Sequence, residues 1–204
     1  MKKYIIFDAD RTLVDSCDAV SLSLQEAIEN VLGIKIDIDE LRSLTSLPSN
    51  QYFKLLNIDG ENVDLINKEW ENTYRKYETK CFPGLKEIIK DLSNKGYIIG
   101  IITSRRDIEY HELDNELEDI KDYIKIVVTS DLVESPKPNN DSMTYLCNKM
   151  NCTCDEVIYI GDSKSDMEFA KNSNCDFIPA CWDNKVLIDE EKACLKPIDI
   201  LKYL

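Results

Sequence analysis

At 204 residues the chain is long enough to bury its own core, as one domain or as one domain with a modest insertion. Its 39 acidic residues against 25 basic ones give a formal charge of -14, and a surface of that sign repels nucleic acid and anionic membranes, so neither is expected as a partner. The amino terminus, MKKYIIFDAD, places only four apolar residues between two lysines and a carboxylate, too few for a signal peptide or a membrane span, and a cytoplasmic location is expected.

That apolar run, Tyr4 to Phe7, reads as a buried strand and leads straight into Asp8 and Asp10. Side chains two apart in a strand share a side, so two like charges face one another. This is unfavourable unless a cation sits between them or one stays protonated. Residues 16 to 80 then carry helical patterns only (DAVSLSLQEAIENVLG, IDELRSLTS, SNQYFKLLN, VDLINKEWENTYRKYE) and read as a helical module inserted after the first strand. Asp15 and Ser16 suit an N-cap for its first helix, and Trp70, Tyr74 and Tyr77 fall at the spacing of a helix core.

Beyond residue 80 helix and strand alternate. FPGLKEIIKDLSNKG has the three-and-four spacing of an amphipathic helix, and YIIGIITS (97 to 104) reads as a strand closing on Thr103 and Ser104. Another strand, IKIVVTSD (124 to 131), is followed by ESPKPNND with Lys137, then by the helical NDSMTYLCNKMN. VIYIGDS (157 to 163) ends on Asp162, and CDFIPAC (175 to 181) is a weaker last strand. The alternation predicts an α/β fold, a parallel sheet covered on both faces. The eight cysteines are expected to stay reduced, because disulfide sets belong to secreted chains. Cys152 and Cys154 form a lone Cys-x-Cys, and with His111 the single histidine of the chain a zinc site would lack further ligands. His111, among acidic neighbours, reads as a solvated helix residue. Arg105 and Arg106 admit two readings, an anion contact near Thr103 or a solvent-facing pair.

In open parallel sheets the ligand sits at the carboxyl ends of the strands, so Asp8, Asp10, Thr103, Ser104, Lys137 and Asp162 are expected to converge. The set offers carboxylates for a divalent ion, hydroxyls for anionic oxygens and one lysine for negative charge. Mg²⁺ favours a few carboxylates together with water and a substrate phosphate. Such a cation would offset the repulsion around Asp8 and leave it ionised as a nucleophile, while Asp10 carries a proton for a leaving oxygen. Phosphoryl transfer fits this set best, since its catalysis is mostly positioning and neutralisation of spreading charge.

The segments FDADRTLVDS, IITS, SPKP and GDSKSD resemble, in order and position, the four signatures of the haloacid dehalogenase-like hydrolase superfamily, and the resemblance covers essentially the whole chain. Within it the chain looks like the branch with a small helical cap after the first motif, that of phosphoglycolate phosphatase and beta-phosphoglucomutase. The resemblance implies a Rossmann-like core of residues 1–15 and 81–204 and an all-helical cap of residues 16–80 that closes over the site. It implies Asp8 as the nucleophile that forms an aspartyl-phosphate, and Asp10 as general acid/base with its backbone carbonyl on Mg²⁺. Thr103 and Ser104 would hold the phosphoryl group, Lys137 would neutralise it, Asp8 and Asp162 would ligate the metal, and Asp166 would support it from behind. The cap stretch LRSLTSLPSNQYF aligns with the loop that faces the site in relatives, which makes Arg42, Thr45, Ser46 and Gln51 candidate specificity contacts. Arg11 stands where many relatives have Gly, a change expected to act on the motion of its loop and not on activity.

The expected protein is therefore a Mg²⁺-dependent phosphatase of a small phosphorylated metabolite, monomeric or homodimeric. A beta-phosphoglucomutase-like phosphosugar mutase shares the whole core and is the alternative, and a catalytically silent binding or regulatory protein on the same fold is a third reading. A phosphonatase is disfavoured because it needs an early cap lysine, absent from residues 16–34, and a dehalogenase because it lacks an acid at the position of Asp10.

Overall fold

The computed structural model describes residues 2–45, 49–183 and 193–204, with residues 49 and 50 described by their backbone alone. The chain divides into two compact units, Met1–Asp15 with Cys81–Leu204, and Ser16–Lys80.

The Ser16–Lys80 unit is built from α1 (Cys17–Leu32), α2 (Ile38–Leu44), α3 (Ser49–Leu55) and α4 (Glu61–Tyr74). Leu24, Ala27 and Ile28 recur at three-and-four spacing on α1 and are buried with Leu41, Phe53, Ile58 and Ile66 in one apolar cluster, against which Trp70 packs. The helix ends where Gly33 adopts φ +70° and its N–H bonds the carbonyl of Glu29. At the start of α2 the Asp37 carboxylate accepts from the N–H groups of Asp39 (2.9 Å) and Glu40 (3.2 Å). Ser16 occupies the N-cap position of α1, but its hydroxyl makes no capping bond.

The other unit is a parallel sheet of β1 (Tyr4–Phe7), β2 (Ile98–Ile102), β3 (Ile124–Val128), β4 (Val157–Gly161) and β5 (Asp176–Pro179), in the order β3-β2-β1-β4-β5. Period-two alternation assigns each side chain to a face. Ile5 and Phe7 pack with Ile99, Ile101, Ile158 and Ile160 beneath α5 (Leu85–Asn94), whose Leu85, Ile88, Ile89 and Leu92 are buried. The short α6 (Asp107–Tyr110) and α7 (Asp114–Leu117) follow β2. Tyr4, Ile6, Val157 and Tyr159 point the other way, onto Met143 and Leu146 of α8 (Asp141–Met150) and Phe169 of α9 (Lys164–Asn172). Every residue of β1 and β4 is buried, as central strands of a doubly covered sheet require.

Val14 pairs antiparallel with Cys81, and the N–H of Phe82 bonds the carbonyl of Leu13 at 3.0 Å. The inserted segment thus leaves and rejoins the sheet unit at one seam. From β1 the chain winds outward through β2 and β3, then crosses back to place β4 on the other side of β1. That reversal of winding falls at the carboxyl ends of β1 and β4, where sheets of this kind bind ligands. The eight cysteines are thiols, with Cys147 and Cys154 approaching to 3.6 Å. Among the described residues no helix is long and apolar enough to cross a membrane.

Candidate active site

Asp8 is the first residue past β1, and its N–H still bonds the carbonyl of Ile160 on β4 at 2.8 Å, which holds it in line with the strand. Asp162 is the first residue past β4, and because Phe7 pairs with Ile160 the two strands release their carboxylates at nearly the same level. Asp166 arrives from the first turn of α9. Ser163 Oγ accepts from its N–H (3.1 Å), and the Asp166 carboxylate accepts in return from Ser163 N–H (3.1 Å) and Oγ (2.6 Å), a reciprocal cap that fixes both residues. Carboxylate oxygens of Asp8, Asp162 and Asp166, all buried, lie within 4.8 Å of one another.

Lys137 enters this cluster with a side chain only 4% exposed. Its ammonium donates to Asp8 Oδ1 (2.6 Å), Asp166 Oδ1 (2.8 Å) and the Tyr159 hydroxyl (2.9 Å). The Tyr159 hydroxyl in turn lies 2.9 Å from Asp166 Oδ1, to which it donates. All three ammonium donors are therefore committed, and both oxygens of Asp166 accept.

The electrostatics separate the three acids. Burial raises Asp8 to about 7, with Lys137 opposing the rise and Asp166 adding to it. Burial likewise lifts Asp162 well above the ordinary carboxylate range, and Asp166 adds to the lift while Arg11 opposes it. Asp166 is buried too, yet Lys137, Ser163 and Tyr159 more than compensate, and it is held below its ordinary value. For Lys137 the balance is the reverse: burial alone would lower it, but Asp166 and Asp8 raise it. Asp8 and Asp162 thus remain the under-compensated acids, offering hard oxygens to a small divalent cation.

Asp10 stays outside this cluster. Its two carboxylate oxygens each accept at 2.7 Å from Arg105, through Nε and Nη2, and Arg105 is 6% exposed. The backbone N–H of Arg105 also bonds Thr103 Oγ1 (3.1 Å), and its Nη1 bonds the carbonyl of Glu109 (3.0 Å). Arg105 does not face solvent but is an internal partner of Asp10, whereas Arg106 is exposed and pairs with Glu109 at 2.6 Å. Thr103 is buried past β2, while Ser104 beside it is exposed. Arg11, with φ +60°, places Nε 3.2 Å from Asp162 Oδ2 and 3.2 Å from Asp183 Oδ2.

Among the specificity candidates, Arg42 is tied to Asp18 (3.0 Å) and Asp39 (2.7 Å), the Thr45 hydroxyl lies 3.3 Å from that of Ser21, Gln51 is exposed, and Ser46 falls outside the described residues. Tyr159, Ser163 and Asp183 take part in the site without having been singled out as contacts. Tyr159 carried a usable signal, since a tyrosine inside an aliphatic strand must find a partner for its hydroxyl when buried. So did Ser163, as the first residue of a Ser-x-x-Asp cap.

Residues 5–180 match the family described as haloacid dehalogenase-like hydrolase. A glyceraldehyde 3-phosphate phosphatase of Pyrococcus furiosus is 30% identical over 190 residues, covering 83% of this chain and 77% of that protein. A phosphoglycolate phosphatase of Vibrio vulnificus is 26% identical over 187 residues, 85% of this chain and 81% of that one. A solved haloacid dehalogenase-like family hydrolase of Streptococcus pneumoniae shares the fold, with a TM-score of 0.83 at 22% identity over 99% of this chain and 98% of its own. The match spans the sheet, its motifs and the seam around the insertion, and the chain belongs to the haloacid dehalogenase-like hydrolases.

Proposed function

We propose that this chain is a Mg²⁺-dependent phosphatase that hydrolyses a small phosphorylated metabolite through an aspartyl-phosphate on Asp8. The observation that carries the reading is Lys137, buried and hydrogen-bonded to both Asp8 and Asp166 beside Asp162. A lysine so placed orients the Asp8 carboxylate and brings positive charge to where phosphoryl oxygens would gather. The names of the relatives point the same way, since glyceraldehyde 3-phosphate and phosphoglycolate are both small phosphate monoesters.

In this reading Asp8 attacks phosphorus, the bond to the leaving oxygen breaks, and Asp10 delivers a proton to that oxygen. Water then attacks the phosphorus of the aspartyl-phosphate, Asp10 takes up the water's proton, and phosphate leaves with Asp8 restored. Thr103 and Ser104 hydrogen-bond the phosphoryl oxygens. Asp8, Asp162 and the backbone carbonyl of Asp10 would hold Mg²⁺, with Asp166 supporting them; when bound, the ion supplies neutralising charge to the phosphoryl group. Arg105 donates to both carboxylate oxygens of Asp10 and fixes their orientation. Substrate choice is assigned to the helical unit, with Arg42, Thr45, Ser46 and Gln51 as contacts.

Hydrolysis of p-nitrophenyl phosphate with Mg²⁺ tests the proposal. Asp8→Asn is expected to lower kcat by a factor on the order of 10³ or more, because the nucleophile is removed. Turnover retained by that variant would overturn the mechanism.

A further inference from the structure

Arg11 is a side chain for which the proposed chemistry has no use, in a conformation that side chains rarely adopt. At φ +60° a non-glycine residue persists only where its surroundings over-determine it. Here the surroundings are two carboxylates: Nε stands 3.2 Å from Asp162 Oδ2 and 3.2 Å from Asp183 Oδ2, and no side chain of the three is more than 9% exposed. The guanidinium is therefore shared, at equal distance, between a carboxylate of the candidate cation site and one that lies outside the acidic cluster.

We propose that Arg11 is a built-in competitor for the divalent cation at Asp162: it neutralises Asp162 while the cation is away and passes to Asp183 when the cation binds. The inference rests on the reading of Asp8 and Asp162 as cation ligands. Its physical basis is that a buried guanidinium this close to a ligand carboxylate repels a divalent ion through a low-dielectric interior, where charges interact far more strongly than in water. Lys137 cannot take the same role, because Asp8, Asp166 and Tyr159 use its three donors. Asp183 makes the exchange feasible, since its Oδ2 already accepts from the guanidinium Nε at 3.2 Å and keeps the charge paired after the transfer. The consequence is a cation requirement set by Arg11: the site fills at a higher cation concentration than Asp8 and Asp162 alone would dictate.

Calorimetric titration of MgCl₂ into the wild type, Arg11→Met, Asp183→Asn and Asp162→Asn tests this without reference to activity. Arg11→Met retains the backbone demand and much of the volume but removes the charge. It should bind Mg²⁺ about tenfold more tightly or better, while Asp183→Asn, which removes the alternative partner, should bind more weakly than wild type. Arg11→Met combined with Asp183→Asn should behave like Arg11→Met alone. Equal affinity of wild type and Arg11→Met, with binding lost in Asp162→Asn, overturns the competitor while leaving the cation site standing. Binding absent throughout, or untouched in Asp162→Asn, removes the cation reading and the competitor with it. Should Arg11→Met fail to fold, Asp183→Asn decides: weakened binding supports the exchange, and unchanged binding overturns it.

Discussion

Asp8 and Asp10 show how far a two-residue spacing constrains chemistry and where its constraint stops. Read as strand, that spacing makes repulsion the problem to be solved; in the structure both residues lie past the end of β1, and each is met by a basic residue from elsewhere, Lys137 for Asp8 and Arg105 for Asp10, 129 and 95 positions away. Asp8, Thr103 and Asp162 were legible because each sits at the end of an apolar run. Arg105 was not, because an arginine just past a strand end is ordinarily solvated, and only burial turns it into a two-pronged clamp. If that clamp positions Asp10, Arg105→Met lowers kcat toward p-nitrophenyl phosphate about 10²-fold. Arg105→Lys falls between it and wild type, since an ammonium cannot match both carboxylate oxygens at once. A kcat unchanged in Arg105→Met would show that Asp10 acts without it.

At the scale of elements, the junction of β4 with α9 sets the site's precision. A Cβ on Gly161 would stand 2.6 Å from both Cβ and Cγ of Asp166, so only glycine lets the first turn of the helix approach the strand this closely. Gly161→Ala is expected to displace Asp166 from Lys137, lowering stability by about 1–3 kcal/mol in urea unfolding and lowering kcat with it. Ser163→Ala removes the cap of α9 and a hydrogen bond to Asp166, and should lower stability by about 0.5–2 kcal/mol in the same measurement. Wild-type stability in both variants would mean that the junction is not held by these contacts. The strands themselves were readable from their Ile- and Val-rich runs, though the polar ends of those runs belong to loops: YIIGIITS contributes only Ile98–Ile102 to the sheet. Ser16 misled for a related reason, since residue type marks an N-cap position but does not oblige its hydroxyl to bond there.

For the molecule as a whole, the buried acids couple stability to pH and to cations. The Asp8 carboxyl, raised by burial to about 7 from an ordinary 3.8, binds its proton more tightly folded than unfolded. Its contribution to stability is thus fully present below its unfolded value and is lost as pH rises toward about 7. In chelator, Asp8→Asn should gain melting temperature relative to wild type between about pH 4 and pH 7, and Mg²⁺ should narrow the difference by stabilising the ionised acid. A difference flat across that range would show that Asp8 does not titrate there. By itself the sequence determined the α/β alternation, the family and the polar residues at the strand ends, because periodicity and short motifs are local properties of a chain. The partners of those residues were decided only by tertiary structure. Which arginine meets which carboxylate depends on the strand order β3-β2-β1-β4-β5 and on burial, which strips surface charges of water and obliges them to pair. Arg11, 172 positions from Asp183, is the clearest instance, since no local pattern encodes a contact across that separation.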